Sequence, residues 1–317
     1  MSDRTLQEDE TNQMGGTVLL SQGSGWMRPT GVFLPDSGPG GGDPKLTVLL
    51  WFHGFYVKDV SHLFYREETK LLRAVLGSGK SLVLVAPHLG WYQDKKHSDY
   101  NAGALGGGTA TETYLDQVLG ALADWYAQSR STQAGTNQTP NLQIADLYVA
   151  GHSGGGNAIR NSVGALGRYT DALRECWGFD CLYSSGQTWY QWATTQKGRP
   201  LYFYYGTGTQ PAAGGHVLDF WKLVYGTLKR PLPSGGMSNV FLAPALPGTE
   251  MDRVAFQSAE DIRQKPKAGN RYEEVRKRVD PLIDDAQAYW STIIKLGLKG
   301  HYQVVSGLLG PRIQQSL

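Results

Sequence analysis

The sequence predicts an α/β protein built on a mostly parallel sheet with helices on both faces. Two observations carry this: nearly continuous apolar runs of strand length, and amphipathic helical stretches between them. Leu46 to Phe52 (LTVLLWF), Ser81 to Ala86 (SLVLVA) and Leu147 to Ala150 (LYVA) contain almost no polar residue, as strands buried on both faces of a parallel sheet require. Between them Leu115, Val118, Leu119, Leu122, Trp125 and Tyr126 form an apolar stripe at helical spacing, and this alternation indicates α/β architecture.

Taken in chain order, residues 1–14 read as a flexible polar tail, followed by one domain over 15–317. Thr17 to Ser21 and Thr30 to Leu34 are candidate strands, and the Pro- and Gly-rich segment 35–44 is a loop. Leu63 to Leu76 reads as one helix. Thr109 and Glu112 have the spacing of a capping box before the Leu115 stripe. Gly178 to Tyr183, Leu201 to Tyr205, Val240 to Leu242 and Arg253 to Phe256 are further strand candidates. Residues 258–280 carry mixed charge and read as an exposed loop and solvated helix. Asp280-Pro281 then resembles a helix N-cap followed by proline at the first helical position. A helical insertion near 258–297 would account for the more than forty residues between the last strand candidate and His301.

Composition excludes several classes of function. Thirty basic and 28 acidic residues spread along 317 positions give a formal charge of +2, without the concentrated basic patch that a nucleic-acid binder needs. No apolar run reaches the ~18 residues of a membrane span. The polar N-terminus has no signal-peptide core, so a cytoplasmic location is the default expectation. Cys176 and Cys181 bracket an apparent strand, on which residues five apart lie roughly 16 Å from each other, beyond disulfide reach. No Cys/His spacing matches a zinc site, and neither metal nor cofactor is expected.

Chemistry concentrates at Gly151-His152-Ser153-Gly154-Gly155. A strand precedes this Gly-x-Ser-x-Gly pattern and a helix can start after it, from Asn157. That context places a serine on a sharp turn with its hydroxyl exposed and a helix N-terminus behind it. A phosphate-binding loop would want a following Lys-Ser/Thr or a Gly-x-Gly-x-x-Gly, and neither is present.

From about Thr17 onward the chain resembles the α/β-hydrolase superfamily. This elbow and His53-Gly54, after a buried strand, carry the resemblance. It implies Ser153 as nucleophile, with the backbone N–H groups of Phe55 and Gly154 as the oxyanion hole. His53 and His152 read as structural. A serine needs a neutral imidazole to take its proton, and the superfamily order is serine, acid, histidine. His301, in a glycine turn before a final apolar helix, matches the expected position of the base, with His216 as the alternative. Asp180, in Cys176-Trp-Gly-Phe-Asp-Cys-Leu-Tyr183, is the favoured acid, with Asp219 and Asp252 as alternatives. Pancreatic lipases carry their acid after the equivalent strand. The Asp-x-Leu-Tyr stretch also resembles a bacterial group of hydrolases.

The resemblance implies a serine hydrolase acting on a small-molecule or acyl-group substrate. A carboxylic ester is favoured over an amide or peptide, and an acyltransferase or non-catalytic relative is the remaining alternative. Trp91, Tyr183 and Trp189, with Tyr92, Tyr190 and Trp192, fall on segments that would flank a cleft and are candidate substrate contacts. The glycine-rich stretch Asn101 to Gly108 is a candidate lid.

Overall fold

The computed structural model describes residues 4–9, 15–36, 45–92, 98–134, 139–183, 186–195, 199–206, 220, 223, 240–244 and 300–317. The chain divides into two compact units, Met1–Arg174 and Glu175–Leu317.

The first unit contains strands β1 (Thr5–Glu8), β2 (Thr17–Gln22), β3 (Thr30–Leu34), β4 (Lys45–Phe52), β5 (Val83–Pro87) and β6 (Gln143–His152). Its helices are α1 (Val60–Tyr65), α2 (Leu71–Gly77), α3 (Ala110–Ala134) and α4 (Gly155–Val163), followed by a 3-10 turn at Gly167–Ala172. The six strands lie in the order β1-β2-β3-β5-β4-β6. The first three pairings are antiparallel; β5/β4 and β4/β6 are parallel. Every residue of β3 and β5 is buried, as are the last five of β4, which is the two-sided burial that the apolar runs predicted.

Register positions the functional loops. Leu49 lies opposite Tyr148, and Phe52 opposite Gly151, so β4 and β6 end level with each other. The segments that follow them, His53–Tyr56 and Ser153–Gly154, therefore emerge side by side at the C-terminal edge of the sheet. Open α/β sheets place their ligands at this edge.

Three expectations for this unit need correction. Thr5–Glu8, read as tail, is an edge strand antiparallel to β2. Only Leu6 of its four residues is buried, and one apolar residue is too weak a period to read. Leu63 to Leu76 is two helices, because Lys70 takes a left-handed backbone (φ +51°) that breaks the helical path. At the start of α3 the amide of Glu112 bonds Ala165 O at 3.1 Å, so the expected capping box gives way to a tertiary contact.

The second unit contains β7 (Leu173–Phe179, beginning at the unit boundary), α5 (Gly186–Thr195), β8 (Leu201–Tyr205), β9 (Val240–Pro244) and α6 (His301–Ser316). β7/β8 and β8/β9 are both parallel. β7 starts five residues before the predicted Gly178 and ends before Asp180. Cys176 therefore sits inside the strand and Cys181 beyond it. Both are buried free thiols whose ionisation burial pushes upward. His216, Asp219, Asp252, the Arg253 to Phe256 strand and the 258–297 insertion lie outside the described residues.

Helix α6 is held along its length. Val304, Val305, Leu308, Leu309 and Ile313 form its buried stripe. Pro311 lies inside the helix and removes the hydrogen bond to the carbonyl of Gly307. Near the C-terminal end, buried Arg312 places its guanidinium 3.9 Å over the Tyr202 ring and donates to Ser316 Oγ at 3.0 Å. It also pairs with Glu175 at 3.8 Å. Glu175 in turn accepts from Ser316 Oγ (2.6 Å) and Trp177 Nε1 (2.7 Å). Removing one partner from a buried charged pair is far costlier than replacing the pair. Arg312→Met is expected to destabilise the protein by about 3 kcal/mol in urea denaturation; a loss no larger than for a surface arginine would show that the pair does not anchor α6.

Candidate active site

Only Ser153 and Gly154 separate β6 from α4. To turn from strand to helix in that space, Ser153 adopts φ +55°. A non-glycine residue there costs about 1–2 kcal/mol, a strain that the surroundings must maintain. They do so by crowding. A Cβ on Gly151 would lie 3.0 Å from Phe52 O, and one on Gly155 would overlap that same carbonyl. Position 155 thus has room only for glycine, and a side chain at 151 would crowd the same carbonyl. The amides of Gly156 and Asn157 bond Ser153 O (3.2 Å) and Gly154 O (3.3 Å), closing the first helical turn directly behind the half-buried serine.

The loop after β4 presses against this turn. A Cβ on Gly54 would stand 2.6 Å from Ser153 Cβ and 3.0 Å from its Oγ, so the backbone at 54 runs beside the hydroxyl. Four carbonyls of the loop are engaged by side chains. Tyr100 Oη donates to His53 O (3.0 Å), and the His53 ring to Gly54 O (2.6 Å). Arg66 donates to Tyr56 O (3.4 Å), and His88 to Val57 O (3.0 Å). Tyr56 itself sits at φ +65°. A loop tied at this many points is preorganised, as an anion-stabilising loop must be.

Strand order, level strand ends and a strained serine between strand and helix decide the architecture. The fold is that of an α/β-hydrolase. A carboxylate, Asp180, stands directly after β7.

Asp180 is fully buried and, like Ser153, has a left-handed backbone, at φ +48°. Its amide donates to Tyr204 O (2.7 Å), and its Oδ1 accepts from Gly206 N (3.1 Å). Its Oδ2 meets His301 Nδ1 at 2.6 Å. His301 opens α6 with a quarter of its side chain exposed, and Tyr183 Oη lies 3.4 Å from the same Nδ1. A carboxylate on Nδ1 places the proton there and leaves Nε2 as the basic nitrogen. The elbow belongs to the first unit and the Asp180–His301 pair to the second.

The two histidines read as structural are buried, each 3 % exposed. The amide of Leu89 donates to His53 Nε2 at 2.8 Å, so the ring is neutral with its proton on Nδ1. His53 and His152 line a cavity of about 20 Å³ beside Arg66 and Thr69, room for one water.

Other expectations fare differently. Trp91 is half-buried, its amide bonded to Asp99 Oδ1 (2.5 Å) and its ring 5.9 Å under Lys58 Nζ. Trp189 is 1 % exposed and packs edge-on against Phe203 at 4.9 Å. It is a core residue rather than a substrate contact, because the apolar face of α5 turns inward. The Asn101 to Gly108 stretch is pinned rather than lid-like: Asn101 N bonds Leu89 O (2.7 Å), Asn161 Nδ2 bonds Ala102 O (3.1 Å), and Leu105 is buried. Sequence reasoning missed Tyr100, His88 and Arg66. Their role lies in contacts to backbone carbonyls distant in sequence, which no local pattern encodes.

No family model and no curated protein matches the chain. Solved structures similar to it include a putative acetyl xylan esterase from Bacteroides fragilis, at 11% identity and TM-score 0.40, over 75% of this chain and 68% of that one. Acetyl xylan esterase 1 from Thermoanaerobacterium sp. JW/SL YS485 aligns at 13% identity and TM-score 0.31, over 63% of this chain and 59% of that one. A thermostable carboxylesterase cloned from a metagenomic library aligns at 16% identity and TM-score 0.27, over 57% and 49%. The chain thus spans about half to three-fifths of the length of the last two. No helix among the described residues is long and apolar enough to cross a membrane.

His53 makes folding of the protein sensitive to pH. Burial lowers its pKa from 6.5 to about 3. Between those values the unfolded chain binds a proton that the folded chain excludes, so stability rises with pH. The contribution is complete above pH ~6.5 and is lost as pH falls toward 3, by at most about 1.4 kcal/mol per pH unit. Unfolding free energies of wild type and His53→Asn, measured from pH 7 to 4, are expected to converge as pH falls; parallel curves would contradict the assignment.

Proposed function

We propose that the protein is a serine hydrolase that cleaves a carboxylic ester through an acyl-enzyme on Ser153. His301 acts as general base and Asp180 orients it. The left-handed backbone of Ser153 between β6 and α4 carries the reading, because a strained hydroxyl held against the 53–55 loop has no packing explanation. The 2.6 Å contact between Asp180 and His301 supports the assignment of base and acid. It favours His301 over His216, and Asp180 over Asp219 and Asp252.

In the proposed course, Ser153 Oγ attacks the ester carbonyl as its proton passes to His301 Nε2. The backbone amides of Phe55 and Gly154 hold the negative oxygen of the tetrahedral intermediate. The alcohol departs with the proton from His301, leaving an acyl-serine. Water then attacks, again giving its proton to His301, and the acid is released as the acyl–Oγ bond breaks and Ser153 Oγ takes that proton back. Asp180 holds the ring by Nδ1 and stabilises the imidazolium. An ester is preferred to an amide because an alcohol leaves more readily than an amine.

The test is labelling with a fluorophosphonate, followed by kinetics on matched ester and amide substrates. Wild type is expected to be labelled and Ser153→Ala not. His301→Ala is expected to lower kcat by about a millionfold and Asp180→Asn by about ten-thousand-fold. Absence of labelling in folded wild type would overturn the hydrolase reading. Faster turnover of the amide would replace the esterase by an amidase, and product formation only with an added alcohol acceptor would replace it by an acyltransferase.

A further inference from the structure

Among the described residues the exposed large apolar side chains are Met27, Phe55, Tyr56 and Leu317. Two of these four are consecutive and lie on the loop that presses against Ser153. Phe55 is 38 % exposed and Tyr56 50 %. Phe55 stacks on Tyr92 with centroids 4.6 Å apart and meets Tyr100 edge-on at 4.9 Å. Tyr56 presents its edge to Phe55 at 6.4 Å and to Tyr92 at 6.0 Å. The cluster reaches the elbow itself: a Cβ on Gly154 would stand 3.1 Å from the Phe55 ring and 3.3 Å from Tyr100 Oη.

Tyr56 makes this more than loose packing. A bulky residue at positive φ is a genuine backbone outlier, and this one holds half its surface in solvent. Strain kept for an exposed ring points to function rather than to stability.

Three neighbouring side chains among the described residues are engaged elsewhere. Arg66 binds Glu68 and Tyr56 O, Asp99 binds the Trp91 amide, and Tyr100 Oη binds His53 O. What the cluster offers is π-surface in the stacked and edge-on spacings that a further ring would extend.

The geometry points to Phe55, Tyr56 and Tyr92 as a wall that binds an aromatic ring of the substrate, making the site selective for esters carrying an aryl group. This inference rests on the serine-hydrolase reading for its chemistry but not for its binding surface.

Two pairs of substrates locate the ring. Phenyl acetate against ethyl acetate tests the leaving-group side, and ethyl benzoate against ethyl acetate tests the acyl side. Intrinsic reactivity cancels when each kcat/KM ratio is compared between wild type, Tyr56→Gly and Tyr92→Ala. On one side the aryl-to-alkyl ratio is expected to fall about tenfold in each variant. Tyr56→Gly is also expected to raise Tm, since glycine accepts the left-handed backbone without strain. Ratios unchanged in both variants, or preference for an acetylated methyl glycoside over both aryl esters, would overturn the wall. Ligand-observed NMR supplies a readout without turnover. Ser153→Ala protein is expected to bind phenyl acetate or ethyl benzoate, and to lose that binding when Tyr56→Gly is added. Ring binding in a protein whose wild type hydrolyses nothing would support the wall and overturn the hydrolase reading instead; no ring binding would overturn the wall.

Discussion

The backbone of Ser153 is the constraint around which the first unit is arranged. A strand that must become a helix within two residues has to pass through the left-handed region, and a serine there costs free energy that glycine would not. The molecule offsets this cost through its neighbours. Gly151 and Gly155 leave room for Phe52 O, and Gly54 lets the 53–55 backbone run against the hydroxyl. The β4/β6 register then brings the two loops to the same height. Remove any of these features and the hydroxyl loses either its exposure or its neighbour.

The second unit solves a different problem, holding an imidazole at a helix start. His301 is the first residue of α6, where the chain is least constrained by helical hydrogen bonds. Buried Asp180 fixes it from one side. Arg312 and Glu175, with Ser316 and Trp177 bonded to Glu175, fix the far end of the same helix. The buried ion pair is thus placed where it limits sliding of the helix that carries His301. Asp180 repeats the device seen at Ser153, a short polar residue in a left-handed turn just after a strand.

Much of this was legible in the sequence wherever the signal is local. The runs LTVLLWF and LYVA report burial on two faces, and Gly151 to Gly155 reports a crowded turn. His301 could be ranked by its order in the chain and by the glycine before it. Thr5–Glu8 was invisible because a single leucine carries its burial. The break at Lys70 was hidden because apolar spacing continues across it. Trp189 was misjudged because an aromatic on a short helix reads the same whether it faces a cleft or the core. Tyr100, Arg66 and His88 were unreadable for a deeper reason: each acts on a carbonyl of the 53–57 loop from 10 to 47 positions away in sequence.

The most direct test of the account is a crystal structure of the phosphonylated protein. The bond to phosphorus should lie on Ser153 Oγ, with one phosphonyl oxygen about 3 Å from the backbone amides of both Phe55 and Gly154 and with His301 still on Asp180. A phosphonate on another residue, or an oxygen turned away from those two amides, would contradict it.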